Sequence, residues 1–288
     1  MKTVINGCEI YYETKGEKDG KDSIFFIHGG PGLGDCRGDI ATFGELEDDY
    51  YLVFIDMRGS GRSADVPPYT HKQWADDIDA LREHLGLDQI ILHGASYGGF
   101  IIQEYALLYP ERTKALLLNV TAADNDHHLK AIDNALESDK VDVDKDNLIR
   151  LFDGQVESNE DFKELYASIL PLYTMKQDKE AQKAKLDGIH FHYATHNAAF
   201  HNNLKNFDLK NELENIQVPA MVTAGKHDWI IPPEYSKAIA DRIPNSTFVL
   251  FENYGHSLVR EQGDVYKKLL RQFLDGEIKE DFVSVDVE

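Results

Sequence analysis

The chain is short of cysteine, of basic charge and of long apolar runs, and each shortage excludes something. Its two cysteines, Cys8 and Cys36, are too few for a disulfide framework, and residues 1–21 carry no apolar stretch ahead of a small-residue cleavage site. The expected location is therefore the cytoplasm. Thirty Lys and Arg residues against 51 Asp and Glu give a formal net charge of −21. Nucleic acid and anionic lipid would both repel such a surface, so neither nucleic acid nor membrane is expected as a partner. The longest apolar runs are strand-sized, such as residues 24–27, far below the roughly 20 residues that span a bilayer. A soluble protein is expected. What is present is a 42% hydrophobic fraction spread over 288 residues, enough for one sizeable core.

Strand-sized apolar runs at residues 8–14, 23–28, 50–57, 89–93 and 115–120 alternate with helix-like segments. Residues 70–85 predict a helix, opened by Thr70 and Gln73 at capping-box spacing and closed by Gly86. This alternation predicts an α/β fold on a mostly parallel, doubly wound sheet. From residue 121 the chain turns polar, with scattered aromatics and no strand-like run until residue 218. Residues 121–215 are expected to form an inserted helical cap, leaving residues 1–120 and 216–288 as the core. Within the cap, residues 140–146 alternate Asp and Lys and read as a solvated loop. Strand-like runs return at 218–224 and 247–251, followed by an amphipathic helix over 260–274. Residues 277–282 are acidic and read as a mobile tail or loose surface strand.

The segment Gly94-Ala95-Ser96-Tyr97-Gly98 joins a buried run to a helix-like run. A serine on such a turn exposes its hydroxyl, and small neighbours are required because larger ones would strike the adjoining backbone. A serine needs a base, an acid to orient that base, and donors for the oxyanion. Asp228 lies just past the run beginning at residue 218, framed by Gly225 and Pro232-Pro233, and is the expected acid. Asp124 is a rival, but it leads into the cap. His256, in the loop after the last apolar run, is the expected base. The sequence His28-Gly29-Gly30-Pro31-Gly32 follows an early strand and suits an oxyanion loop, with the Gly30 and Tyr97 backbone N–H groups as the predicted donors.

Together with Asp56-Met57-Arg58-Gly59-Ser60-Gly61-Arg62-Ser63, these motifs resemble the α/β-hydrolase fold and, more narrowly, the proline iminopeptidase group, over nearly the whole chain. The resemblance implies a serine hydrolase that releases N-terminal residues from small peptides, with the loop 56–63 mainly architectural. One departure matters. Some members carry a glutamate directly after the catalytic aspartate, which binds the substrate's amino group; here that position is Trp229. Glu157, Glu160 and Glu164 of the cap are candidate replacements. Alternatively, Trp229, Phe191, Tyr193, Phe200 and Phe207 line an apolar pocket suited to an ester or lactone. Three functions follow: an aminopeptidase, a carboxylesterase or lactonase with the same triad, or a low-turnover ligand sensor. The partner is a small molecule or short peptide. His190, His192, His196 and His201 lack the adjacent glutamate of a metalloprotease pattern, so no metal and no cofactor is expected.

Overall fold

The computed structural model describes residues 1–287. Nine strands form one sheet: β1 (Lys2–Ile5), β2 (Cys8–Lys15), β3 (Ser23–Ile27), β4 (Tyr51–Asp56), β5 (Ile90–Ala95), β6 (Thr113–Asn119), β7 (Ala220–Gly225), β8 (Ser246–Phe251) and β9 (Phe282–Val285). Their order is β1-β2-β4-β3-β5-β6-β7-β8-β9. β1 and β2 are antiparallel to their neighbours and the rest run parallel. Every residue of β3 and β7 is buried, as expected of strands covered on both faces. One face packs under the helices His71–His84, Tyr97–Leu108 and Pro233–Ala240, through Trp74, Ile78, Phe100 and Ile239. The other packs under Arg37–Phe43 and Gly263–Leu274, through Phe43, Tyr266 and Leu270.

The helix expected over 70–85 spans His71–His84, and the Thr70 hydroxyl accepts from the Gln73 N–H at 3.1 Å. Two expectations are corrected. Residues 140–146 are not all loop: Asp144 accepts from the Asn147 N–H and starts the helix Lys145–Phe152, whose Leu148, Leu151 and Phe152 are buried. The alternating charges that suggested solvent are its capping turn. The helix expected over 260–274 is two, Leu258–Glu261 and Gly263–Leu274, parted at Gln262, whose φ of −134° is not helical. Of the two forms expected of the acidic tail, the end of it takes the surface strand, β9, parallel to β8 at the sheet edge with Phe282 stacked on Phe248 and Val285 buried.

Between β6 and β7 lie the helices His127–Glu137, Lys145–Phe152, Asn159–Ile169, Lys179–Gly188 and Tyr193–Asn197. They share their own apolar cluster, with Phe152, Phe162, Leu165 and Tyr166 inside it. This layer seats on the core through short-range contacts. The His192 N–H donates to the Gly32 carbonyl at 2.7 Å, and the Tyr97 hydroxyl donates to the Ala199 carbonyl at 3.0 Å.

Candidate active site

β5 is the middle strand of the sheet, and Ser96 sits just past its end. Ser96 has φ 53° and ψ −120°, a conformation that side chains other than glycine rarely adopt. Surrounding contacts hold it there. The Ser96 N–H donates to the Asn119 carbonyl at 2.9 Å, and the Thr121 hydroxyl donates to the Ser96 carbonyl at 2.9 Å. A Cβ at Gly94 would lie 2.6 Å from the Gly98 carbonyl oxygen, and one at Gly98 would overlap the Ile27 carbonyl oxygen. Both glycines are therefore required for the turn to fit between β3 and the helix Tyr97–Leu108.

Asp228 and His256 arrive from the ends of β7 and β8. The Asp228 carboxylate is buried; its Oδ1 accepts from the Ile230 and Ile231 N–H groups, each at 3.0 Å, and its Oδ2 meets His256 Nδ1 at 2.7 Å. With Nδ1 held by the carboxylate, Nε2 is the nitrogen left to exchange a proton. His256 and Ser96 line the same cavity, and among the described residues no hydrogen bond yet joins them. The rival acid Asp124 is elsewhere, 3.2 Å from Lys210 and bonded to the Asp126 N–H.

The loop after β3 closes over the serine. Gly29 approaches so closely that a Cβ there would stand 3.0 Å from that of Ser96, and Gly30 adopts φ 64°. Neither the Gly30 N–H nor the Tyr97 N–H, which opens its helix, finds an acceptor among the described residues. Both predicted donors remain free. The loop 56–63 braces this arrangement from behind. The Met57 N–H donates to His28 Nε2 at 3.0 Å, Ser60 Oγ accepts from the Gly32 N–H at 3.0 Å, and Asp56 Oδ1 accepts from the Cys36 N–H at 2.8 Å. Arg58 anchors that brace through a fully buried pair with Asp77 at 2.7 Å.

The cavity has a volume of about 630 Å³, within the range of small-molecule sites. Ser96, Tyr97, His256, Gly29 and Gly30 form its floor, and Leu151, Phe152, Phe162, Tyr166, Tyr173 and Phe200 its roof. Of the five aromatics expected to line a pocket, only Phe200 does. Trp229 is buried behind the wall against Phe152 and Tyr173, Phe191 packs on Phe162, Phe207 packs on His71 and Phe100, and Tyr193 is exposed. None of the three cap glutamates reaches the cavity; Glu157 is instead 3.6 Å from Arg150 at the surface. The carboxylates that do line it are Asp35, paired with Arg37, and Asp39, whose Oδ2 has no partner. Burial pushes Asp39 up to about 6. The lining cations without an ion pair, Lys185 and Arg260, carried no signal in the sequence. His196 is buried between Phe162 and Phe200 with Nε2 on the Leu151 carbonyl, and burial pushes its pKa down to about 4. Its role in this structure is packing; the described residues contain no His, Cys, Asp and Glu group placed to hold a metal ion.

Residues 22–261 match the alpha/beta hydrolase fold family, and the chain belongs to it. Within that family its sequence is similar to enzymes named proline iminopeptidase. It is 32% identical to proline iminopeptidase PfmaB of Pestalotiopsis fici, over 94% of this chain and 98% of that protein. It is 28% identical to the proline iminopeptidase of Lactobacillus helveticus, over 95% and 97%. Among solved structures it resembles an esterase from Thermogutta terrifontis, with TM-score 0.78 and 25% identity over 96% of this chain and 98% of that one. The enol-lactonase of Burkholderia xenovorans LB400 shares the fold, with TM-score 0.78 and 20% identity over 96% and 100%. No described helix is long and apolar enough to cross a membrane.

Proposed function

We propose that the chain is a serine hydrolase that opens small esters or lactones through an acyl-enzyme, with residues 1–120 and 216–288 as the catalytic core and 121–215 as the cap that selects substrate. The supporting observation is the 2.7 Å contact from Asp228 to His256 in the cavity that Ser96 also lines. His256 Nε2 takes the Ser96 hydroxyl proton as Oγ attacks the carbonyl carbon. The Gly30 and Tyr97 N–H groups stabilise the oxyanion, and the alcohol leaves with the proton from His256. Water, deprotonated by the same imidazole, then releases the acid. An ester is favoured over an N-terminal amide because Trp229 stands where an amine-binding glutamate would follow Asp228, and the cap glutamates stay outside the cavity.

The aminopeptidase reading has its own support in the sequence relatives and in Asp39, the one lining carboxylate without an ion pair, which offers an ammonium group a partner. Parallel kcat/KM measurements on p-nitrophenyl butyrate and proline p-nitroanilide separate the two. The ester should be the better substrate; a large preference for the anilide, abolished in Asp39→Asn, would reverse the assignment. A fluorophosphonate should label Ser96, and failure to label it with neither substrate turned over would leave a ligand sensor.

A further inference from the structure

Lys185 and Arg260 reach the cavity from two separate elements, the cap helix Lys179–Gly188 and the turn Leu258–Glu261 just after His256. Neither side chain has a carboxylate within 4.0 Å among the described residues. Other bases also lack a carboxylate partner, such as Lys130, Lys145 and Arg242 at the exposed surface, but Lys185 and Arg260 are the two unpaired ones that line the cavity. Arg37, the other basic residue lining the cavity, is paired with Asp35.

Lys185 faces the candidate base across an aromatic wall. Lys185 Nζ lies 5.4 Å from the Tyr173 ring centroid and 5.7 Å from that of Tyr166, and the Tyr173 ring lies 5.5 Å from the His256 ring. The ammonium therefore stands one ring away from the candidate base. Arg260 stands at the exposed rim. A Cβ at Gly38 would lie 2.9 Å from its Nη2, so the glycine leaves room for the guanidinium. Burial, then repulsion from Arg260, pull the Lys185 pKa down to about 7. Asp39 attracts Arg260 without bonding to it, and its own burial disfavours the ionised form. The groups acting on Lys185 are thus two phenol rings and a like charge.

We propose that Lys185 and Arg260 form an anion subsite that holds a carboxylate at the end of the acyl chain remote from the scissile carbonyl, making acidic esters or lactones the preferred substrates. An anion there would relieve the repulsion between the cations and supply the partners the protein withholds, with a guanidinium fork and a mobile ammonium as donors. The aromatic roof between subsite and serine suits the hydrocarbon part of the chain. This inference rests on the acyl-transfer reading of Ser96 for its substrate, and on the cavity alone for its ligand.

The test compares p-nitrophenyl hydrogen glutarate with neutral p-nitrophenyl butyrate, at low salt and at a pH below the Lys185 value of about 7. The ratio of their kcat/KM values should favour the acidic ester. It should fall about tenfold in Lys185→Gln and in Arg260→Gln, mainly through KM, as losing one charge-assisted hydrogen bond implies. Lys185→Arg should restore most of it. A ratio unchanged within about twofold in both variants would overturn the subsite. Glutarate binding, followed by tryptophan fluorescence in Ser96→Ala, needs no turnover. Weaker binding when Lys185→Gln is added supports the subsite even if neither ester is hydrolysed, the result that would sink the acyl-transfer reading. Equal binding with and without Lys185 overturns the subsite.

Discussion

The floor and the roof of the cavity are built by different physics. The floor is fixed by backbone: Ser96 at φ 53°, Gly30 at φ 64°, and glycines at 94 and 98 where no Cβ fits. The roof is fixed by side-chain packing among short helices, with Phe152, Phe162, Tyr166, His196 and Phe200 filling one another's gaps. A backbone device tolerates almost no change at its key positions, whereas a packed wall can exchange one apolar group for another. Chemistry should therefore depend on the floor and selectivity on the roof, and substitutions in each part can break that division.

The largest effect is expected at the floor. Ser96→Ala removes the attacking oxygen and should lower kcat by about 10⁴ to 10⁶, with substrate still bound. Rate assays on purified protein would check this, and retention of most turnover would remove Ser96 from the mechanism. Next comes Gly98→Ala, whose new methyl overlaps the Ile27 carbonyl oxygen and must displace either the turn or β3. A shift of the serine by about 1 Å costs on the order of a hundredfold in kcat. A variant with normal kcat and normal thermal stability would show that the turn is looser than its contacts imply.

This division also explains what the sequence reveals. The sheet, the elbow glycines and the loop 28–32 are readable because each depends on residues a few positions apart, with glycine, proline and β-rich runs as local markers. Asp228 and His256 are 28 positions apart yet meet at 2.7 Å, and strand order makes their pairing inferable. The roof offers no such rule. Trp229 and Phe200 look alike in sequence, but one is buried behind the wall and the other faces the cavity, because the path of the loop after β7 and the rotation of the turn Ala198–Asn203 decide which side each presents. Lys185 and Arg260 were two basic residues among thirty. Likewise, β1 and β9 each have four residues, too few for an alternating pattern to stand out.

A roof substitution should show a different signature. Phe200 touches Tyr97, Phe152 and His196 and lines the cavity. Phe200→Ala widens the site without moving Ser96, so KM for a medium-chain ester should rise about tenfold while kcat changes less. A kcat loss as large as that of Gly98→Ala, with KM unchanged, would erase the distinction between floor and roof.

The smallest effect concerns stability: buried imidazoles in both parts are held below their usual range, but they differ in hydrogen bonding. His196 in the roof bonds to the Leu151 carbonyl, but neither ring nitrogen of His93, on β5 beneath the floor, has a partner. His93 lies among Phe26, Phe43 and Tyr266, with ring centroids 4.8 to 5.7 Å away, and burial pulls its pKa from 6.5 down to about 3. Between those values the unfolded chain binds a proton that the folded chain does not. Folding stability contributed by this site is therefore intact above 6.5 and is lost as pH falls, by about 2 kcal/mol at a pH near 5. His93→Phe removes the titration and two unpartnered polar atoms, and the aromatic surroundings suit the new ring. Its thermal midpoint should match or exceed that of the natural chain at neutral pH, with the gap widening as pH falls toward 5. A gap that closes on acidification would mean that His93 gains a proton partner in the folded state, and the contrast with His196 would fail.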